Sequence, residues 1–344
     1  MKQIKVDEIG LDFEDVYIVP QYTEINSRSS VNTSTKIFDN LKLDIPVISA
    51  NMDTITESDM ANAMFVSGGI GALHRFMPII QNVNEFLRCP KNTLVSVGVN
   101  GDSQERTQEL YKVGARNFLV DIAHGHSLQM KEMLEWMRGK YSDINIMAGN
   151  VATRGAVKAL AQWGAHSVKV GIGPGAVCKT KSVTGVTVPQ LTAIQRCADM
   201  KFQEDLVLDP MVLGQKKEVV KGYKVSIIAD GGITEIGDIA KALAVGADAV
   251  MCGRMFASCL STPGLFLNGR KIYRGMASVD AMKKVRADDN LPTPEGISIV
   301  IDEPMVSCDE IMKHIKGGLQ SSFSYTGAKN LKEFQEMAKL RVRK

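Results

Sequence analysis

The chain has 344 residues, 44% hydrophobic and 23% charged, and 41 lysines and arginines against 38 acidic residues leave a formal net charge of +3. That apolar content excludes intrinsic disorder, six cysteines in so long a chain exclude a small disulfide scaffold, and the near-neutral balance gives no electrostatic footprint for nucleic acid. No apolar run reaches the roughly 18 residues of a membrane span, and Met1-Lys2-Gln3-Ile4-Lys5-Val6-Asp7-Glu8 lacks the apolar stretch of a signal peptide, so a cytoplasmic protein without membrane partners is expected.

Read in chain order, short runs rich in Val, Ile and Ala recur at 45–50, 70–74, 94–99, 118–123, 145–151, 167–172, 225–231 and 249–253. Continuous apolar runs without alternation suit a parallel sheet covered on both faces. Amphipathic segments at 103–113, 155–163 and 237–245 lie between them, each followed by a glycine (Gly114, Gly164, Gly246), the expected helix stop. Eight strand–helix units predict an α/β fold of the (β/α)8 barrel type, a TIM barrel, although a doubly wound sheet has the same alternation. The gap from the sixth strand to the seventh is long, and 201–221 reads as an insertion to which the sequence gives no role. After strand eight, 265–273 reads as a hairpin turning at Asn268-Gly269. The polar stretch 285–303 carries Pro292, Pro294 and Gly296 and reads as a long mobile loop of the kind that forms lids, which places an active-site flap at 283–303. A final helix is expected over 330–340, and Lys339-Leu340-Arg341-Val342-Arg343-Lys344 reads as a solvated tail. On this reading 1–344 is one barrel domain.

Barrel active sites form at the carboxyl ends of the strands. Polar groups collect there: Ser49-Ala50-Asn51-Met52-Asp53, His74-Arg75, Asp121-Ile122-Ala123-His124-Gly125, Gly149-Asn150, Asp230-Gly231-Gly232 and Gly253-Arg254. Any one could be a buried structural group, but six together are hard to explain that way. The loop after strand six, Gly171-Ile172-Gly173-Pro174-Gly175-Ala176-Val177-Cys178-Lys179-Thr180, is the richest. Its glycines let backbone amides turn toward an anion, or carbonyls toward a cation. Cys178 sits on this loop, and Lys179 and Lys181 would favour its thiolate, so it is either a nucleophile or a spare thiol on a tight turn. The other cysteines lie among apolar residues and read as packing groups; no CxxC pair marks a zinc site. Gly231-Gly232 and Gly253-Arg254 offer amides and a guanidinium to a phosphate, and Asp230 suits a ribose diol. Together these residues describe a nucleoside monophosphate beside a cysteine.

The sequence resembles the inosine monophosphate dehydrogenase and guanosine monophosphate reductase family. The motifs are Ser49-Ala50-Asn51-Met52-Asp53-Thr54, Ala148-Gly149-Asn150-Val151-Ala152-Thr153, the loop ending at Cys178, Ile228-Ala229-Asp230-Gly231-Gly232, and Tyr273-Arg274-Gly275-Met276. The resemblance implies a (β/α)8 barrel, a homotetramer, and attack by Cys178 on C2 of a purine nucleotide. It implies that Asp230 holds the ribose hydroxyls, that Gly232, Gly253, Arg254 and Tyr273 surround the phosphate, and that Ser49, Met52, Asn150, Gly275, Met276 and Glu295 frame base and sugar. Arg75, Asp121 and His124 would face the nicotinamide cofactor, and the carbonyls of Gly171, Gly173 and Cys178 resemble the family's potassium site.

The two branches share a thioimidate on cysteine. Dehydrogenases then hydrolyse it, using an Arg-Tyr pair in a flap; Lys283-Lys284-Val285-Arg286-Ala287-Asp288-Asp289-Asn290-Leu291 has no such pair, and the chain leaves no room for a regulatory insertion. Reductases use a Thr–Glu pair, and Thr180 and Glu295 fit it. These features lead to the expectation of an NADPH-dependent GMP reductase that converts GMP to IMP and ammonia, with Cys178, Thr180 and Glu295 as catalytic residues. The alternatives are an NAD-dependent IMP dehydrogenase and a member acting on a modified purine nucleotide. His124, where reductases usually show Asn, leans toward the dehydrogenase. Ala176, Lys179 and Arg254 depart from both branches. Both branches usually place a serine hydroxyl against the phosphate where Ala176 stands, and Arg254 is expected to bind the phosphate in its stead.

Overall fold

Eight of the apolar runs close into a parallel barrel in the computed structural model of the chain. The structure describes residues 10–203, 206–207, 219–220, 223–264, 266–267, 270–285 and 293–343. The barrel strands are β1 (Val47–Ser49), β2 (Ile70–Leu73), β3 (Leu94–Val97), β4 (Asn117–Asp121), β5 (Asn145–Val151), β6 (Ser167–Val170), β7 (Ser226–Asp230) and β8 (Ala249–Cys252), each at its expected place. Neighbours in the chain are neighbours in the barrel, and β8 pairs with β1 to close it, Met251 opposite Ile48. This closure excludes the doubly wound sheet, which has two open edges. Residues from both faces of the strands are buried, which is why they read as unbroken apolar runs.

Outside the barrel lie α1 (Ser58–Val66), α2 (Ile79–Leu87), α3 (Ser103–Lys112), α4 (Leu128–Lys140), α5 (Arg154–Gln162), α6 (Gln190–Ala198), α7 (Ile236–Ala244) and α8 (Cys308–Tyr325). α4 packs through one stripe, burying Met130, Met133, Leu134 and Met137, the i, i+3, i+4, i+7 set of a half-covered helix, whereas α7 is buried on all sides from Asp238 to Ala244. Side-chain caps set several starts: Ser127 accepts the amide of Met130, Thr153 that of Ala156, and Ser307 that of Glu310. The amino-terminal mouth of the barrel is covered by a hairpin of Thr35–Phe38 and Leu41–Leu43, to which Asn145 Nδ2 reaches at 2.9 Å through Asn40 Oδ1. Only the carboxyl mouth is left for chemistry.

The structure departs from the sequence reading after β8. Ser298–Ile301 is a strand within the stretch expected to be loop, paired with Arg270–Arg274 in a three-stranded sheet with Phe266–Leu267. Ser298-Ile299-Val300-Ile301 is β-branched enough to pair once a partner edge is present. The long helix α8 was not anticipated. The final helix is shorter than expected, Leu331–Met337, and Lys339–Val342 is no free tail but an antiparallel partner of Val16–Val19. The insertion contributes antiparallel pairs: Phe202 with Lys224, Gln203 with Tyr223, Leu206 with Val220 and Val207 with Val219. The rest of 201–221, Asn268-Gly269, residues 286–292 of the expected flap, and the amino-terminal stretch 1–9 lie outside the described residues. Among the described residues no helix is long and apolar enough to cross a membrane.

Candidate active site

A cleft of about 500 Å³ opens at the carboxyl ends of the strands. β1 delivers Ala50, Asn51 and Met52; β2 is followed by Arg75 and Phe76; β4 ends in Asp121, β5 carries Asn150, β6 carries Lys169, and β7 ends in Asp230 and Gly231-Gly232. Gly253, Arg254, Tyr273, Gly275, Met276, Glu295 and the whole of Gly171–Cys178 complete the wall. Residues that lie far apart in the chain therefore converge because most sit at or near the carboxyl end of a barrel strand.

The loop after β6 is held from both sides. Gly171 has φ +150°, and a side chain there would collide with the Asp230 carbonyl, so only glycine lets β6 and β7 end so close together. On the other side Cys178 forms a bridge with Gly296, the Lys179 amide donates to the Glu295 carbonyl at 2.6 Å, and the Ile297 amide donates to Val177 at 3.0 Å. This stitching brings Glu295 to the cysteine loop. Cys178 Sγ donates to Thr180 Oγ1 at 3.3 Å, and Thr180 Oγ1 donates to Glu295 Oε2 at 2.6 Å. A thiol, a hydroxyl and a carboxylate thus form a hydrogen-bonded chain able to move a proton away from the sulfur or from a molecule beside it.

The floor of the cleft is charged. Lys169 Nζ lies 2.8 Å from Asp121 Oδ1 and 2.6 Å from Asp230 Oδ2. Asn51 donates to Asp121 Oδ2 at 3.0 Å, and Asn150 donates to Asp230 Oδ2 at 2.8 Å and to the Gly171 carbonyl at 2.7 Å. Burial alone would raise the Asp121 carboxyl, but Lys169 and Asn51 outweigh it and hold it below the usual carboxylate range. Burial likewise opposes charge on Lys169, yet the two carboxylates keep it a firmly protonated ammonium. Arg75 is depressed by its own burial, with Asp121 pulling the other way. Burial, reinforced by Asp230, pushes the Tyr273 phenol up, so Tyr273 stays neutral.

On the far wall, Asp53 and Arg274 form a buried two-pronged ion pair, with Nε to Oδ1 at 3.1 Å and a second contact from Nη2 to Oδ2. It anchors the strand that carries Tyr273, and with it Gly275 and Met276, to the loop after β1. Arg254 lies beside Gly253 and Tyr273 and pairs with Glu303. By contrast, burial pushes the thiols of Cys89 and Cys197 up to about 12, in keeping with packing roles.

Of the residues expected in the site, Cys178, Thr180, Glu295, Met52, Asn150, Asp230, Gly232, Gly253, Arg254, Tyr273, Gly275, Met276, Arg75, Asp121, Gly171 and Gly173 all line the cleft. Two do not. Ser49, the last residue of β1, is fully buried and accepts from Thr56 Oγ1 at 2.9 Å, and the cleft wall begins with the residues after it, Ala50, Asn51 and Met52. His124 is exposed on the loop beyond Asp121, outside the cleft wall. Lys169 was missed, although a lysine inside the otherwise apolar Val168-Lys169-Val170 is a visible anomaly, since lysine is rarely buried unpaired. Among the described residues no group of three or more His, Cys, Asp or Glu side chains could hold a metal ion.

A family model described as the IMP dehydrogenase / GMP reductase domain matches residues 10–343. The chain belongs to that family. An inosine-5'-monophosphate dehydrogenase of Cryptosporidium parvum is 34% identical, over 94% of this chain and 90% of the relative. One of Bacillus subtilis is 31% identical, over 98% of this chain and 94% of the relative. A third, of Chlorobaculum tepidum, is 39% identical over 70% of this chain and 48% of the relative. The family is one of oxidoreductases that act on purine nucleotides, and the cleft built around Cys178 is the part of this chain suited to that work.

Proposed function

We propose that this protein oxidises IMP to XMP with NAD, through a covalent bond between Cys178 and purine C2. The observation that carries the covalent step is the hydrogen-bonded chain from Cys178 through Thr180 to Glu295 at the cleft wall. The relatives named IMP dehydrogenase favour this direction over the reductive one expected from the sequence. Asp230 receives the ribose hydroxyls, and Gly232, Gly253, Arg254 and Tyr273 receive the phosphate. Arg75, Phe76 and Asp121 would hold a nicotinamide, which would supply the hydride acceptor. The Cys178 thiol passes its proton through Thr180 to Glu295, which releases it to solvent, as the sulfur adds to C2 and a hydride passes from C2 to the acceptor, giving the thioimidate. Water then attacks C2, Thr180 Oγ relays its proton to Glu295, and the C2–S bond breaks to return the thiol. In this reading Thr180 and Glu295 take the place of an Arg-Tyr pair. The carbonyls of Gly171, Gly173 and Cys178 would hold potassium; that of Gly171 already accepts one bond from Asn150, leaving its second lone pair.

A second reading, NADPH-dependent GMP reductase, is favoured by the lack of an Arg-Tyr pair between Lys283 and Leu291. There Thr180 and Glu295 would protonate departing ammonia. Absorbance at 340 nm separates the two, in potassium buffer, with IMP and NAD in one cuvette and GMP and NADPH in the other. A rise only in the first supports the dehydrogenase. A fall only in the second, with ammonia released, overturns it in favour of the reductase. Silence in both overturns both and points to an altered nucleotide.

A further inference from the structure

Lys169 is the least expected residue of the cleft. It lies in the wall of the barrel with its side chain 4% exposed, and its ammonium touches carboxylates from two other strands. Asp121 spends Oδ1 on Lys169 and Oδ2 on Asn51. Asp230 takes Lys169 and Asn150 both on Oδ2, which leaves Oδ1 for a hydroxyl of a bound sugar. Two carboxylate oxygens that touch one nitrogen are close neighbours, and two anions so placed repel unless the cation between them stays. The trio carries one net negative charge. Arg75, beside Asp121, is a further cation at this end of the cleft.

We propose that Lys169 is a positioning residue that ties the nucleotide half of the cleft to the cofactor half, holding Asp230 for the sugar and Asp121 for the nicotinamide with a single ammonium. This rests on the reading of the cleft given under Proposed function. Because both carboxylates lean on the same group, the loss of that group weakens both ligands at once. The charge, more than the shape of the side chain, does this.

The test is a double-mutant cycle of Lys169→Met, Asp121→Asn and the two combined, with Lys169→Arg as the charge-keeping control. Nucleotide Kd for IMP and GMP is measured by calorimetry, and the cofactor KM by turnover. Lys169→Met leaves two unbalanced carboxylates, and both nucleotide Kd and cofactor KM should rise about tenfold or more. Lys169→Arg keeps the charge and should restore both to within about threefold. The decisive variant is Asp121→Asn with Lys169→Met, which returns the net charge of the trio to its original value. Nucleotide Kd should recover to within about threefold of wild type, while cofactor KM stays high. If Lys169 serves only as packing, the double variant binds nucleotide as poorly as the single one, and the proposal falls. Should Lys169→Met fail to fold, the double variant alone decides, since recovery sustains the charge role and a tenfold loss overturns it. A wild-type protein that binds neither IMP nor GMP overturns the reading of the cleft itself, whatever the variants do.

Discussion

Cys178 donates to Thr180, and Thr180 donates to Glu295, so at the scale of single residues the thiol has a defined route for its proton. Cys178→Ala should abolish turnover at 340 nm and leave nucleotide affinity in calorimetry within about threefold of wild type, because the contacts proposed for ribose and phosphate lie elsewhere on the wall. Turnover near wild type would refute covalent catalysis. Arg254 is the second residue to test. It stands next to Gly253 and Tyr273, where we propose the phosphate binds, and pairs with Glu303. Arg254→Ala should raise nucleotide KM about tenfold or more with a smaller change in kcat, as expected on removing a charge-assisted interaction made in ground and transition states alike. An unchanged KM would remove Arg254 from the phosphate site. The legible residues were those in glycine-rich or reactive motifs. Ser49 lies outside the cleft wall because Thr56, seven residues on, holds its hydroxyl in the interior, a contact that the motif does not display. Lys169 escaped because its meaning lies in two partners 48 and 61 positions away in the chain, which no local pattern displays.

At the scale of elements, the active cleft depends on segments outside the barrel. The strand Arg270–Arg274 is held to the loop after β1 by the Asp53–Arg274 pair, and both residues are buried. Truncating one partner leaves an uncompensated charge in the interior, so Arg274→Ala should lower the free energy of unfolding by about 3–5 kcal/mol in a urea titration. A loss under about 1 kcal/mol, the level of an exposed pair, would show that water reaches the site. The elements most readily seen in the sequence were those with an unambiguous period and a glycine stop, such as α5 and α7. After β8 the hairpin of 265–273 was legible, with Phe266 opposite Lys271 and Leu267 opposite Arg270, but the later strands were not. Ser298–Ile301 becomes a strand only because Arg270–Arg274 offers it an edge, and Lys339–Val342 only because Val16–Val19 does. Pairing over such separations is set by tertiary contact, which outweighs local propensity.

For the whole molecule, one closed sheet accounts for the location of the chemistry. The Thr35–Phe38 hairpin covers one mouth, and every strand directs its carboxyl end to the other, so residues from position 50 to position 296 share a single cleft. The sequence announced this through eight apolar runs; the direction of the reaction was not so announced, since both branches of the family place the same cysteine on the same loop. The ribbon between α6 and β7 stands apart from this economy. Its described pairs are Phe202 with Lys224, Gln203 with Tyr223, Leu206 with Val220 and Val207 with Val219, and at its base the Val225 amide already bonds the Lys201 carbonyl at 2.9 Å. The two arms therefore meet at the barrel as they would in a minimal hairpin. Replacing 203–223 with an Asn-Gly turn should leave the melting temperature within about 4 °C, a change of roughly 1 kcal/mol. A larger fall would mean that the barrel leans on the ribbon. In architectural terms the ribbon is a graft on a finished building: residues can be added or taken away there in cross-strand pairs, and selection can reshape that surface while the catalytic mouth stays as it is.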